Sequence, residues 1–112
     1  MNLHSLTISE ASEKLAKGEV TSRELTEAVL KRIEAIDPNV GAFITVTKEL
    51  ALEQADASDK RRKEGRAIGP LDGIPIALKD CVLTKGIKTT DSSKILNDFI
   101  PPYDATVWKR LK

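Results

Sequence analysis

The sequence predicts an α/β fold in which amphipathic helices pack on part of a β-sheet. Two N-terminal segments carry helix-capping signals, and two short runs at residues 42–46 and 74–78 have the apolar composition of strands. The length of 112 residues, with 40% hydrophobic and 31% charged residues, is typical of about one soluble globular domain.

The first helix is predicted over residues 8–17. Thr7 and Glu10 have the spacing of a capping box, in which each side chain bonds the backbone N–H of the other residue. Gly18 can adopt the left-handed conformation that ends a helix. The segment therefore has both a start and a stop signal.

The second helix is predicted to start after Thr21, which forms a box with Glu24, while Val20 and Leu25 occupy the two positions of a hydrophobic staple. We expect it to end before Pro38, because the residue preceding a proline is disfavoured in a helix. Its apolar stripe consists of Leu25, Val29, Ile33 and Ile36.

A strand at residues 42–46 is followed by a third predicted helix, which Thr47 can cap and Gly65 can stop. Its basic end, "KRRKEGR" at residues 60–66, has two interpretations. It could touch tRNA or another polyanion. The favoured interpretation is that cations in a last helical turn complement the helix dipole and face water.

The apolar run at residues 74–78 leads directly into Lys79. Pro75 has no N–H for a sheet ladder, which favours an edge or early strand position. A lysine here could reach water or pair with Asp72 or Asp80. A dry site would instead favour the neutral amine, which can act as a general base or a nucleophile.

The C-terminal segment predicts a helix that has only begun. Asp104 is placed as its N-cap, with Val107 and Leu111 on one face, and the sequence shows no stop signal before Lys112. We therefore expect residues 1–112 to be a single but incomplete portion of a domain.

Composition excludes several classes of protein. A net charge of +1 gives no overall attraction to nucleic acid or membrane, and one cysteine, Cys81, excludes an internal disulfide. With one histidine, His4, a zinc site is not expected, and no apolar run reaches the length of a membrane span. We expect a cytoplasmic protein.

The segments "GPLDGIPIALKD", "TKGIKTTDSSKIL" and "PPYDATVWKRL", in this order after residue 68, closely resemble the opening of the amidase signature family. The resemblance extends through the upstream helices and covers almost the whole chain. It implies the N-terminal part of the amidase-signature fold, in which helices pack on part of a mixed β-sheet.

The resemblance implies a catalytic role for Lys79, the lysine of the "GIPIALKD" motif. In the family this lysine belongs to a Ser-cisSer-Lys triad and accepts a proton, through one serine, from a second serine that attacks an amide carbonyl. Both family serines lie beyond the matched segments, and Ser92 and Ser93 lack the flanking glycines of an oxyanion hole. The 112 residues alone are expected to be inactive.

Within the family, the chain is most similar to the glutaminase subunit of a tRNA-directed amidotransferase. This implies that the whole protein releases ammonia from glutamine, which a B subunit uses to convert Glu-tRNA(Gln) into Gln-tRNA(Gln), with a C subunit bracing the pair. No cofactor is expected on this chain, and ATP and magnesium would be used by the full complex.

Two alternatives stay open. Cys81 and Asp91 depart from the usual motifs of that glutaminase, so a stand-alone amidase acting on a small or acyl amide remains an alternative. The other alternative is a non-catalytic scaffold or interaction module. An incomplete piece of a larger domain, by contrast, could self-associate through open strand edges. The predicted core consists of Leu15, Leu25, Val29, Ile33, Ile36, Phe43, Ile44, Ile74, Ile76 and Leu78.

Overall fold

The computed structural model describes residues 2–112. Its regular elements are a 3-10 turn at Leu3–Ser5 and four α-helices: α1 (Ile8–Lys17), α2 (Ser22–Val40), α3 (Lys48–Lys63) and α4 (Thr106–Leu111). The chain forms two compact units, one ending at Ile76 and the other comprising Ala77–Lys112. No helix in the described part is long and apolar enough to cross a membrane.

The predicted start of α1 is confirmed in detail. Glu10 donates its backbone N–H to Thr7 Oγ1 at 3.2 Å, and Thr7 donates its own to Glu10 Oε2 at 2.8 Å. Gly18 ends the helix with a φ of 71°, a left-handed conformation that glycine adopts without steric cost. Local sequence alone therefore sets both ends of α1.

The start of α2 is also confirmed, with the Thr21–Glu24 box bonded in both directions at 2.8 and 3.1 Å. The predicted end of α2 before Pro38 is wrong, because the helix continues to Val40 and stops at a left-handed Gly41. A proline removes one N–H, but the following turn is held by Asp37, whose carbonyl accepts the Gly41 N–H at 2.7 Å.

The two predicted strands are absent, and no strand forms within residues 2–112. A strand needs a neighbour to bond its backbone, and neither segment has one there. The N–H groups of Ala42 and Phe43 instead bond the Asp37 carboxylate at 2.7 and 3.3 Å. The described part is helical with irregular segments, so the predicted helix-on-sheet packing is wrong for these residues.

The core of the first unit lies between α1 and the start of α2. It is formed by Ala11, Leu15, Val20 and Leu25, with Ile74 packed against it, so both residues of the predicted staple are buried. The predicted core residues that are only partly buried are Val29, Ile33, Ile74 and Leu78. Those that are exposed, because no element of the described chain covers them, are Ile36, Phe43, Ile44 and Ile76.

Helix α3 packs on α2 and supplies a carboxylate to its N-terminus. Asp59 accepts the backbone N–H groups of Ser22 at 2.7 Å and Arg23 at 3.0 Å, two donors that a helix start leaves free. Such a contact is favourable because the helix N-terminus carries partial positive charge. Thr47 precedes α3 without a side-chain cap bond, and a left-handed Gly65 follows its end as predicted.

The C-terminal helix α4 begins at Thr106 after Ala105, with no side-chain cap. The predicted capping role of Asp104 is therefore wrong. Its carboxylate accepts the Lys85 N–H at 2.7 Å and pairs with Lys112 at 2.5 Å. A tertiary partner with a free backbone donor has displaced the local cap.

Candidate active site

The apolar segment that leads to Lys79 is preceded by Gly73, a tightly packed glycine of the first unit. Gly73 has a φ of +90°, and a Cβ placed on it would lie 2.7 Å from Ser58 Oγ and 3.0 Å from Ser22 Cβ. Ser22 Oγ donates to the Gly73 carbonyl at 2.8 Å. The close approach of α2 and α3 therefore requires glycine at this position.

The residue before that glycine, Asp72, is held by two arginines of α3. Arg61 contacts both carboxylate oxygens, at 3.0 and 2.6 Å, and Arg62 donates to the Asp72 carbonyl at 2.5 Å. The Arg61 bonds, with the Ile68 N–H, hold the pKa of Asp72 far below its usual range, although its side chain is only 5% exposed. The middle of the basic stretch thus stabilises the fold.

Lys79, the candidate catalytic residue, lies in the second unit and is exposed. Its carbonyl accepts the Val82 N–H at 3.0 Å, which makes a tight turn immediately after the lysine. The side chain extends from irregular backbone rather than from a strand. Its catalytic role stays a prediction, since the described residues supply neither triad serine.

The turn beyond Lys79 is joined to residues 90–92 through Asp80. The Asp80 carboxylate accepts the Thr90 N–H at 2.9 Å, the Thr90 hydroxyl, and the Ser92 N–H at 3.3 Å. Its backbone carbonyl accepts the Asp91 N–H at 2.9 Å. These bonds, above all those from Thr90, lower the pKa of Asp80.

Residues 91 and 92 have left-handed backbone conformations, with φ values of 48° for Asp91 and 55° for Ser92. Two successive non-glycine residues in this region are uncommon, because their Cβ atoms crowd the backbone. The bonds to Asp80 compensate for this strain. Asp91, Ser92 and Cys81 are exposed, and Cys81 is a free thiol.

A second carboxylate braces the other end of the same unit. Besides the Asp104 bonds, Ala105 donates its N–H to the Leu83 carbonyl at 2.8 Å, and Gly86 donates to the carbonyl of the buried Pro101 at 3.1 Å. Buried hydroxyls of Thr84 and Thr89 lie 3.3 Å apart. Backbone bonds and two aspartates thus hold the unit without a sheet.

The sequence offered Asp72 and Asp80 as ion-pair partners of Lys79. The structure instead pairs Asp72 with Arg61, and Asp80 with Thr90. No local sequence signal identifies the second contact, because Asp80 and Thr90 are ten residues apart. Within residues 2–112, no group of three or more His, Cys, Asp or Glu side chains is placed to hold a metal ion.

A family described as Amidase matches residues 24–112, a range that includes most of α2, all of α3, Lys79 and the Asp80 bonds. The chain belongs to the amidase family. The resemblance noted in the motifs after residue 68 is therefore confirmed.

Curated relatives of this amidase chain carry the name of the A subunit of glutamyl-tRNA(Gln) amidotransferase. The protein from Geotalea daltonii is 56% identical and that from Desulfatibacillum aliphaticivorans 54% identical, each over 100% of this chain and 23% of the relative. That from Chloroflexus aurantiacus is 53% identical over 97% of this chain and 22% of the relative. The chain thus spans less than a quarter of the length of these relatives.

Two solved structures resemble the described chain. The native peptide amidase from Stenotrophomonas maltophilia matches with a TM-score of 0.88 and 35% identity, over 96% of this chain and 22% of that one. A protein complex connected with the origin of an s-triazine catabolic enzyme matches with a TM-score of 0.89 and 34% identity, over 95% and 23%. The chain shares its fold with the matched parts of these proteins.

Proposed function

We propose that this chain is part of the A subunit of a glutamine-dependent Glu-tRNA(Gln) amidotransferase, the polypeptide that hydrolyses glutamine and supplies ammonia. The observation that carries the proposal is the 51–56% identity to proteins of that name over nearly all of the chain. The chain also belongs to the amidase family, and this membership supports amide hydrolysis as the reaction class.

Lys79 is the proposed proton acceptor. A nucleophilic serine adds to the glutamine amide carbon while its proton passes, through a second serine, to the Lys79 amine. The proton then leaves with ammonia, and water hydrolyses the acyl-serine to glutamate. The exposure of Lys79 supports this role, because its amine is accessible to serines supplied from outside residues 1–112.

The amine needs to be neutral to accept that proton. In the complete domain, we propose, covering residues remove water from Lys79 and so favour its neutral form. We further propose that the complete domain contains a mixed sheet. In that sheet, residues 42–46 and 74–78 would pair with strands outside this chain, within a single amidase domain. The exposure of Phe43, Ile44 and Ile76 supports this placement, since apolar strand residues are normally covered.

The proposed partners are the B and C subunits of the amidotransferase, with glutamine as the substrate of this chain and tRNA(Gln) reaching the complex through B. ATP and magnesium are used by the full complex and are assigned to the B subunit. We place the complex in the cytoplasm, where tRNA is aminoacylated and the free thiol Cys81 would stay reduced.

A stand-alone amidase is the second candidate, and the likeness to peptide amidase favours it at the level of fold. Its identity of 35% is lower than the 51–56% shared with the amidotransferase proteins. A scaffold without chemistry is the least supported. Substrate preference separates these candidates: glutamine for the first, a peptide or acyl amide for the second, and neither for the third.

The test uses the protein as encoded by its gene, copurified with its B and C subunits. We expect Lys79→Ala to lower ammonia release from glutamine by about 10³-fold or more, the usual scale for loss of a triad member. The complex should still form Gln-tRNA(Gln) when ammonium is added directly, because that step uses the B subunit. Lys63→Ala, at an exposed lysine of α3, is the matched control and should leave both rates unchanged.

Two results would reject the proposal. If Lys79→Ala retains glutamine hydrolysis within about tenfold of the unmodified rate, then Lys79 is not the proton acceptor. If the unmodified protein hydrolyses peptide amides but not glutamine, and purifies without B and C subunits, then the stand-alone amidase is the better description.

A further inference from the structure

We propose that Asp80 is a positioning residue for Lys79, and that it acts by joining the backbone next to the lysine to the left-handed turn at residues 90–92. This proposal rests on the proposed role of Lys79 in amide hydrolysis. It adds a residue whose side chain does not react but whose bonds determine where the lysine amine is held.

The bonds of Asp80 use each of its three acceptor oxygens. Oδ1 accepts the Thr90 N–H at 2.9 Å, Oδ2 accepts the Thr90 hydroxyl and the Ser92 N–H, and the backbone carbonyl accepts the Asp91 N–H at 2.9 Å. Bonds from N–H groups to a carboxylate are charge-assisted and therefore among the stronger hydrogen bonds. Asp80 cannot turn without breaking several of them.

The restraint reaches Lys79 through the peptide bond that it shares with Asp80. The Lys79 carbonyl also accepts the Val82 N–H at 3.0 Å, so two successive carbonyls on this side of the lysine are fixed. Fixing this backbone fixes the direction in which the Cα–Cβ bond leaves it. The long side chain then starts from a defined point although its end is exposed.

The turn at residues 90–92, which Asp80 bonds, has an uncommon backbone conformation. Asp91 and Ser92 both have positive φ values, a conformation that non-glycine residues keep only when surrounding bonds hold it. Loss of the Asp80 bonds would let this turn relax toward ordinary backbone conformations. The lysine backbone and the turn would then move together, which would misplace the amine relative to the reacting serines.

Asp104 offers a matched comparison. It also accepts a backbone N–H, from Lys85 at 2.7 Å, and it lies in the same unit, but it is not adjacent to the lysine in sequence. If aspartates simply stabilise this unit, replacing either one should have the same consequence for activity. If Asp80 positions Lys79, only its replacement should lower the rate of the chemical step.

The experiment measures glutamine hydrolysis by the encoded protein in complex with its B and C subunits. In Asp80→Asn, either Ser92 or Thr90 loses an acceptor, because one carboxylate oxygen becomes an NH₂ donor. We expect kcat to fall about 10- to 100-fold, the scale of a misplacement of about 1 Å, with KM for glutamine changed less than about twofold. Asp104→Asn should keep kcat within about twofold of the unmodified value.

Two further variants keep the proposal testable if Asp80→Asn does not fold. Thr90→Val removes the hydroxyl donor at nearly constant volume and should lower kcat in the same direction, whereas Thr90→Ser retains the hydroxyl and should restore it. The double variant Lys79→Ala with Asp80→Asn should be no slower than Lys79→Ala alone, because a residue that acts through the lysine has no effect without it.

Three outcomes would overturn the proposal. One is that folded Asp80→Asn or Thr90→Val complexes keep kcat within about twofold while Lys79→Ala loses it, which would leave the proposed function intact. Another is that Asp104→Asn lowers kcat as much as Asp80→Asn, which indicates general support of the fold. The last is that Lys79→Ala leaves kcat unchanged, which rejects the proposed function and with it any lysine for Asp80 to position.

Discussion

Replacing Gly73 with alanine tests the packing where α2 and α3 meet the segment leading to Lys79. The new Cβ would lie 2.7 Å from Ser58 Oγ, 3.0 Å from Ser22 Cβ and 3.1 Å from Ser22 Oγ. A Cβ contact under 3.0 Å forces a shift of at least one neighbour. Ser22 and Ser58 are both almost fully buried, so neither has free space into which to move.

The expected cost has two parts. A non-glycine residue with positive φ costs about 1–2 kcal/mol, and inserting a methyl group into a packed site typically costs about 1–3 kcal/mol. We therefore expect Gly73→Ala to lower the local stability by about 2–5 kcal/mol. Gly41→Ala isolates the first part, because Gly41 also has a positive φ, of +67°, but no atom lies within 4 Å of its Cβ position.

The assay is native-state hydrogen exchange of amides in α2 and α3 of the encoded protein, which reports the free energy of opening these helices without requiring global two-state unfolding. Gly73→Ala should lower that free energy by clearly more than Gly41→Ala. Adding Ser58→Ala, which removes the nearest clashing atom, should recover part of the loss. Equal effects of the two glycine replacements would refute the packing argument.

Two further predictions concern capping and pH. Thr21→Ala should destabilise α2 by about 1 kcal/mol because it removes a bonded cap. Thr47→Ala should change the stability of α3 by less than about 0.5 kcal/mol because Thr47 makes no cap bond. Circular dichroism during urea unfolding compares the two variants, and equal losses of stability would contradict the cap assignment. Asp72→Asn should cost about 2 kcal/mol at pH 7. Because the folded-state pKa of Asp72 is depressed, its contribution is present above the unfolded pKa of about 3.9 and is lost as pH falls through the lower folded value. The stability difference between Asp72→Asn and the unmodified protein should therefore begin to shrink below about pH 5 and keep shrinking below about pH 3, and a constant difference would contradict the Arg61–Asp72 assignment.

The helix starts were predictable because capping is local. A threonine and a glutamate three residues apart satisfy donors on their own helix, so Thr7 and Thr21 act as the sequence indicates. Gly18 and Gly65 end their helices for the same reason, since left-handed backbone is a property of the residue itself.

Several failed predictions involve groups that bond a partner other than the expected one. Asp104 was placed as a local cap but accepts the Lys85 N–H. Residues 38–40 were placed outside the helix, but the Asp37 carbonyl accepts the Gly41 N–H and its carboxylate accepts the Ala42 N–H beyond the expected end. Ala42 and Phe43 were placed in a strand, but their N–H groups are bonded to Asp37.

In the candidate site, too, some features could be predicted from the sequence and others could not. The motif around Lys79 identified the lysine and the family, because a family motif is a property of the sequence. It did not show that Asp80 bonds the Thr90–Ser92 turn or that Asp72 pairs with Arg61, since those contacts join residues ten and eleven positions apart, beyond the reach of local capping.

The sequence by itself determined the amidase family, the candidate lysine, and the positions at which α1 and α2 begin. Only the tertiary structure decided which carboxylates serve as caps, which cations of the basic stretch are paired, and that neither apolar run forms a strand within residues 2–112. The physical reason is the range of the interactions. Caps and glycine conformations depend on neighbours within a few residues, whereas buried ion pairs and sheet pairing depend on partners brought close by folding.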